Sequence, residues 1–184
     1  MKAIEELQKD HEIILSMLSG IERLASTILT TKTVDADKVR DMIEFSRSFT
    51  DGYHHTKEEK HYFVRLQDRG MPKDQGPIAV MLMEHQMGRD LVRVIESALN
   101  EYQSGQEKSS ESITQAILRY VQLLKAHIAK ENNILFPMSE RFLSTEDQQY
   151  LEESFKNINE HELGEDINEK YVRLAHKISG QEST

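Results

Sequence analysis

Residues 54–59 read HHTKEE and residues 127–132 read HIAKEN, and the likeness between these two stretches decides the fold. Each begins with a histidine, has a lysine three residues later and a glutamate four residues later, and is followed by a phenylalanine. The matched positions are His54 and His127, Lys57 and Lys130, Glu58 and Glu131, and Phe63 and Phe136. A constant offset of 73 residues across four matched pairs indicates an internal repeat.

A single histidine marks the first half of each repeat. His11 lies 74 residues before His85, and an acidic residue, Asp10 or Glu84, precedes each of them. Because the two offsets agree within one residue, the sequence predicts two similar helical hairpins. Each hairpin carries a lone histidine on its first helix and an HxxxE pair on its second.

Apolar residues recur at intervals of three and four, which is typical of helices that bury one face. The breaks between these stripes predict five helical segments. The segments run from about Ile4 to Thr30, from the candidate N-caps Thr33 and Asp35 to Asp68, from near Pro77 to Ser104, from Ser109 or Ser110 to just before Pro137, and onward from a capping sequence at Ser144.

Short connections make successive helices antiparallel neighbours. We therefore predict an all-α fold, an antiparallel four-helix bundle built from the duplicated hairpin. The bundle should cover residues 1–142, and a C-terminal helical extension should cover residues 143–184.

Composition excludes several classes of function. A net charge of −9 argues against nucleic acid as a partner, because phosphate binding needs a basic surface. No run approaches 18 apolar residues and the acidic N-terminus lacks the apolar core of a signal peptide, so we expect a cytoplasmic protein without a membrane partner. The absence of cysteine leaves imidazole and carboxylate as metal ligands, which suit iron, manganese, zinc or copper.

The HxxxE pairs suit a site for two metal ions. Residues four apart on a helix project from the same face, about 5–6 Å apart at Cβ. One pair can therefore bind one metal through its imidazole and reach a second metal with its carboxylate. Two facing pairs and the two lone histidines give six predicted metal ligands, His11, His54, Glu58, His85, His127 and Glu131.

The pattern H…HxxxE…H…HxxxE resembles the hemerythrin superfamily, especially the bacterial hemerythrin HHE cation-binding proteins. The resemblance covers about residues 1–142 and rests on residues 9–12, 54–59, 83–86 and 127–137. It implies two iron ions in an oxo- or hydroxo-bridged non-heme di-iron centre, held by the six predicted ligands. It also implies small-molecule partners: dioxygen, nitric oxide or hydrogen peroxide.

The sequence departs from the oxygen-carrying hemerythrins at two places. Those carriers have a fifth histidine four residues from another on the third helix, whereas Met81 and Arg89 flank His85 at that spacing here. They also end in HxxxxD, whereas Asn132 follows His127 at that distance. These departures favour a protein that reacts with or senses its small molecule, in oxidative or nitrosative stress, over a reversible oxygen carrier.

Alternative functions remain open at the level of sequence. One is a catalase-like enzyme that removes peroxide, and another is a protein that donates iron or repairs iron centres. A metal-free helical interaction module is a third. Neither enzymatic turnover nor the oligomeric state follows from the residues.

Several polar residues near the pairs have no predicted ligand role. His55, Glu59 and His61 are expected to be solvated or to support the ligands from outside. Asp51 is a candidate acceptor for a ligand imidazole, with a surface or packing role as the alternative. His161, in the extension, is expected at the surface.

Overall fold

The structure, a computed structural model, describes residues 1–159 and 167–179. Every regular element in this part of the chain is helical, which confirms the all-α class. The α-helices are α1 (Lys2–Thr31), α2 (Ala36–Phe45), α3 (Phe63–Asp68), α4 (Gly76–Gln103), α5 (Ser109–Lys130), α6 (Phe136–Ser139), α7 (Thr145–Asn157) and α8 (Ile167–Ser179).

Three π-helical segments join these helices into two longer rods. Ser46–His55 and Glu58–Tyr62 connect α2 to α3 in one rod, residues 36–68, and Glu131–Leu135 connects α5 to α6 in another, residues 109–139. The predicted end before Pro137 was wrong, because the second of these rods continues to Ser139. The π-helical turn interrupts the regular i→i−4 pattern, so the proline falls in the first turn of α6, where its missing N–H costs nothing.

Two helices begin at capping residues that the sequence predicted. The Asp35 side chain accepts a hydrogen bond from the Lys38 backbone N–H and begins α2. Ser144 and Asp147 form a reciprocal capping box that begins α7.

The helices pack as a bundle around two apolar clusters. α4 packs on α5, α1 packs on α5 and on α8, and α2 packs on α4 and on α8. Ile14, Ile21, Val92 and Ile117 belong to the larger cluster, whereas Leu7, Phe63, Met81 and Phe136 belong to the smaller one. The bundle has four long rods: α1, residues 36–68, α4 and residues 109–139. Their antiparallel order stays a prediction from the short connections.

The two C-terminal helices cover different parts of the bundle. Leu151 and Phe155 of α7 join the smaller apolar cluster, and Tyr171 and Ile178 of α8 join the larger one. The boundary between residues 142 and 143 stays a prediction, and His161 lies outside the described residues.

Of the helices that the structure describes, α1 alone is long and apolar enough to cross a membrane by length and composition. The core helix of a bundle meets the same criteria. α1 carries buried Asp10 and His11 on the face that meets the other helices, which fits a core helix better.

We expect two glycine-to-alanine substitutions to change stability in opposite directions. An added Cβ at Gly20 would lie 2.7 Å from the Ser179 Cα of α8, whereas one at Gly88 would meet nothing nearer than a Tyr120 ring carbon at 3.8 Å. Alanine is favoured over glycine inside helices by about 0.5–1 kcal/mol, so Gly88→Ala should stabilise the protein by that amount. Gly20→Ala should destabilise it by about 1–3 kcal/mol, because α8 must move. Urea unfolding of both variants measures the difference, and equal effects would show that α8 does not pack as described.

A pH-dependent contribution to stability is expected where α7 begins. The hydrogen bond and charge of Arg69, helped by Ser144, lower the pKa of Asp147 from 3.8 to about 2. This contribution is therefore complete above about pH 4 and is lost as the pH falls toward 2. Asp147→Asn should cost about 1 kcal/mol at pH 7, as the loss of a helix cap does, and should match the wild type near pH 2. The exposed neighbour provides a control, since Glu146→Gln should show no such difference; stability is followed by thermal unfolding at each pH.

Candidate metal centre

The six predicted ligands come together in one buried polar layer between the two apolar clusters. Their side chains are almost wholly inaccessible to solvent, at 0–1% exposure. Together with His55 they form two groups, and within each group the ligand atoms lie within 4.8 Å of one another. One group is His11, His54, Glu58 and Glu131, and the other is His55, Glu58, His85 and His127.

The two glutamates occupy matching positions in the backbone. Glu58 begins the π-helical segment Glu58–Tyr62, and Glu131 begins the segment Glu131–Leu135. These segments are related by the 73-residue offset of the sequence repeat. π-helical turns are rare and occur mostly at functional sites, so their repetition marks this layer as the site the fold is built around.

Each histidine pair directs its inner ring nitrogens at one another. The Nε2 atoms of His11 and His54 lie 3.1 Å apart, and those of His85 and His127 lie 3.1 Å apart. Two nitrogens bound at right angles to one metal, each at about 2.1 Å, would lie about 3.0 Å apart. The spacing of both pairs therefore fits ligands of a common ion.

In all four histidine ligands the Nδ1 atom, which points away from the centre of the layer, has a hydrogen-bond acceptor. This contact fixes the direction of the other ring nitrogen, Nε2. The four ligand–acceptor pairs are His11 Nδ1 and Asn132 Oδ1 at 3.0 Å, His54 Nδ1 and Asp10 Oδ2 at 3.3 Å, His85 Nδ1 and Glu59 Oε1 at 2.7 Å, and His127 Nδ1 and Glu84 Oε2 at 3.0 Å. Each Nδ1–H donates outward, so the Nε2 lone pair faces the centre. Such outer acceptors orient imidazole ligands and raise their basicity.

The acceptors are themselves held by cations. Lys57 donates to Asp10 at 3.0 Å, and Lys130 donates to Glu84. Lys57 is fully buried and its Nζ lies 3.6 Å from the centre of the Tyr53 ring. Lys57 and Lys130 occupy equivalent positions in the repeat. This match is the sequence signal from which their supporting role could have been predicted.

The two buried glutamates are the strongest indication of a cation site. None of the four oxygens of Glu58 and Glu131 has a hydrogen-bond partner among the residues that the structure describes. Their nearest cationic neighbours are ligand Nε2 atoms at 3.2–3.6 Å. A buried carboxylate without partners is destabilising, and a bound cation compensates for it directly.

The carboxylates around the layer change the pKa values of the imidazoles. Burial opposes protonation of His85, but its hydrogen bond to Glu59 and the negative charge of the nearby Glu58 raise its pKa to about 9. Burial lowers the pKa of His54 well below its ordinary value, whereas carboxylates raise the pKa of His11. His85 is therefore protonated at neutral pH when no metal is bound. A metal must displace that proton, so metal affinity should rise with pH.

Comparison with protein families agrees with this geometry. The hemerythrin HHE cation-binding domain matches residues 2–139. The chain belongs to this family.

Similar proteins occur in mycobacteria. The uncharacterized proteins Rv1995 and MT2051 of Mycobacterium tuberculosis and Mb2018 of Mycobacterium bovis are each 23% identical to this hemerythrin-family chain over 167 residues. That stretch is 89% of this chain but 63% of each relative. No solved structure matches the chain.

His55 was expected to be solvated or to support the ligands from outside, and the structure places it beside a predicted ligand. It is buried at 4% exposure, and its ring stacks on that of His85 with centroids 3.7 Å apart. Because the rings are nearly parallel, their in-plane lone pairs do not converge on one ion, so we keep His55 outside the predicted ligand set. Asp51 accepts from His55 at 3.2 Å and not from one of the six predicted ligands.

The other two polar neighbours lie where support from outside was expected. Glu59 is partly exposed and accepts from His85 at 2.7 Å. His61 lies near the surface, where its ring nitrogen is 3.3 Å from the Tyr150 hydroxyl.

Proposed function

We propose that this hemerythrin-family protein holds two iron ions in its polar layer and reacts with or senses dioxygen, nitric oxide or peroxide in the cytoplasm. The observation that carries the proposal is the pair of buried ligand groups joined by Glu58, which appears in both. A carboxylate that reaches both groups can bridge two ions. The fully buried Glu131 provides the second carboxylate.

The donor set favours iron among the candidate metals. Imidazole suits zinc, copper and iron, whereas carboxylates favour harder ions. A structural zinc site is closed by four ligands in a tetrahedron. Six ligands with two shared carboxylates instead suit two ions of higher coordination number, which retain positions for small molecules.

The flanking residues of His85 argue against an oxygen carrier. Met81 is buried in the smaller apolar cluster. Arg89 forms ion pairs with Asp51 and Glu59. Neither residue supplies a fifth imidazole, so we expect both ions to keep exchangeable positions.

Metal analysis of protein purified from iron-supplemented cells tests the proposal. About two irons per chain, with near-ultraviolet absorption of the oxidised form, is the expected result. Protein without bound metal would leave only a helical interaction module. Rapid turnover of added peroxide by the loaded protein would identify the catalase-like alternative.

Exposure of the anaerobic di-ferrous protein to oxygen is expected to convert it irreversibly to the di-ferric form. The reason is that two ions with exchangeable positions favour electron transfer over reversible binding at a single open position. The gas is removed after exposure and the absorption spectrum is followed. Complete return to the di-ferrous spectrum would contradict the prediction and restore the carrier function.

A further inference from the structure

The repeat gives each half of the metal layer a lysine–carboxylate pair, yet the half that holds His85 carries a further network of charged side chains. His55 Nδ1 lies 3.2 Å from Asp51, which accepts from Arg89 at 2.8 Å. Arg89 also donates to Glu59 at 2.6 Å, and Glu59 accepts from the His85 ring. The network therefore ends on a predicted ligand of one ion.

The equivalent positions in the other half are mostly apolar. The two offsets pair Asp51 with Leu124, His55 with Ile128, Glu59 with Asn132, Gly88 with Ile14 and Arg89 with Leu15. Ile14 and Ile128 are buried at 1% and 4% exposure within the larger apolar cluster. At most of these positions the half that holds His11 is therefore apolar, whereas the half that holds His85 is polar.

A cavity of about 220 Å³ lies on the polar side. Gly88 leaves space that Ile14 fills in the other half, and the cavity reaches His55, which stacks on His85. Liquid water occupies about 30 Å³ per molecule, so a cavity of this size accommodates a small molecule with solvent.

The cavity wall offers charged hydrogen-bonding groups. Asp51 and Arg89 line the cavity, and their side chains remain 36% and 28% exposed. Both can therefore form a hydrogen bond with a molecule in the cavity.

We propose that this cavity receives a small hydrogen-bonding molecule of the peroxide class and delivers it to the metal position held by His85 and His127. The inference rests on the proposed function and assigns the reacting position to one half of the site. The polar wall favours hydrogen peroxide over dioxygen, which forms much weaker hydrogen bonds. The metal position held by His11 and His54 then does not receive the molecule.

Azide binding to the di-ferric protein tests the route, because azide is small, accepts hydrogen bonds and changes the absorption spectrum on binding. Gly88→Met should fill the cavity and slow azide binding at least about tenfold, which is ~1.4 kcal/mol in the barrier. Iron content and the spectrum without azide should stay unchanged. Ile14→Met is the matched control at the equivalent position and should bind azide at the wild-type rate.

A second variant keeps the test valid if Gly88→Met misfolds. Val92 also lines the cavity, one turn along α4 from Gly88, and Val92→Met should slow azide binding without changing iron content. Iron-loaded Gly88→Met and Val92→Met that both bind azide like the wild type would overturn the inference and leave the proposed function standing. Wild-type protein that takes up no iron would overturn the proposed function and this inference with it.

Discussion

Glu58→Ala is expected to lower the iron content from about two ions per chain to one or none, the largest effect of any single substitution in the site. Glu58 belongs to both ligand groups, and neither of its oxygens has a hydrogen-bond partner within the described residues. Its removal deprives both ions of one bridging ligand. Iron bound after desalting, measured by elemental analysis, tests the prediction.

Glu59→Ala is the matched control. Glu59 is the adjacent glutamate, but it contacts only the outer nitrogen of His85 and the Arg89 side chain. Loss of such an outer acceptor weakens metal affinity about 10- to 100-fold without removing a ligand. At saturating iron, Glu59→Ala should therefore retain both ions. Full occupancy in Glu58→Ala together with loss in Glu59→Ala would show that the wrong glutamate was assigned.

The comparison of Glu58 with Glu59 shows what the sequence predicts well. Both glutamates follow a histidine by four residues, and only the internal repeat distinguishes them, because Glu58 aligns with Glu131 and Glu59 aligns with Asn132. The structure buries the two aligned glutamates fully and leaves Glu59 partly exposed. Repetition of spacing is a property of the amino-acid sequence alone, which is why the repeat predicts six residues that the structure buries together.

His55 shows what helical periodicity misses. An α-helix places consecutive residues about 100° apart, so a buried His54 predicts an exposed neighbour. The π-helical segment Ser46–His55 changes this register, and both histidines become buried. A π-helical turn has no strong sequence signature, so neither the burial of His55 nor its cavity was predictable.

Iron loading is expected to raise the thermal unfolding midpoint by on the order of 10 °C. A ligand present at 1,000 times its dissociation constant stabilises the native state by about 4 kcal/mol per site. In a chain of this size each kcal/mol raises the midpoint by about 2–4 °C. The coupling to folding should be strong here, because the six predicted ligands come from α1, residues 36–68, α4 and residues 109–139. Neither glutamate has a hydrogen-bond partner in residues 1–159 and 167–179.

Thermal unfolding followed by circular dichroism, with and without a chelator, measures this difference. The Glu58→Ala variant is the control, since a protein that no longer holds both ions should gain much less from added iron. The Gly20→Ala variant gives the opposite control, because its defect lies where α1 meets α8, away from the ligands, and iron should still raise its midpoint. Identical midpoints for metal-free and iron-loaded wild-type protein would mean that the polar layer does not bind iron in the folded core. The unpaired oxygens of Glu58 and Glu131 would then need another explanation.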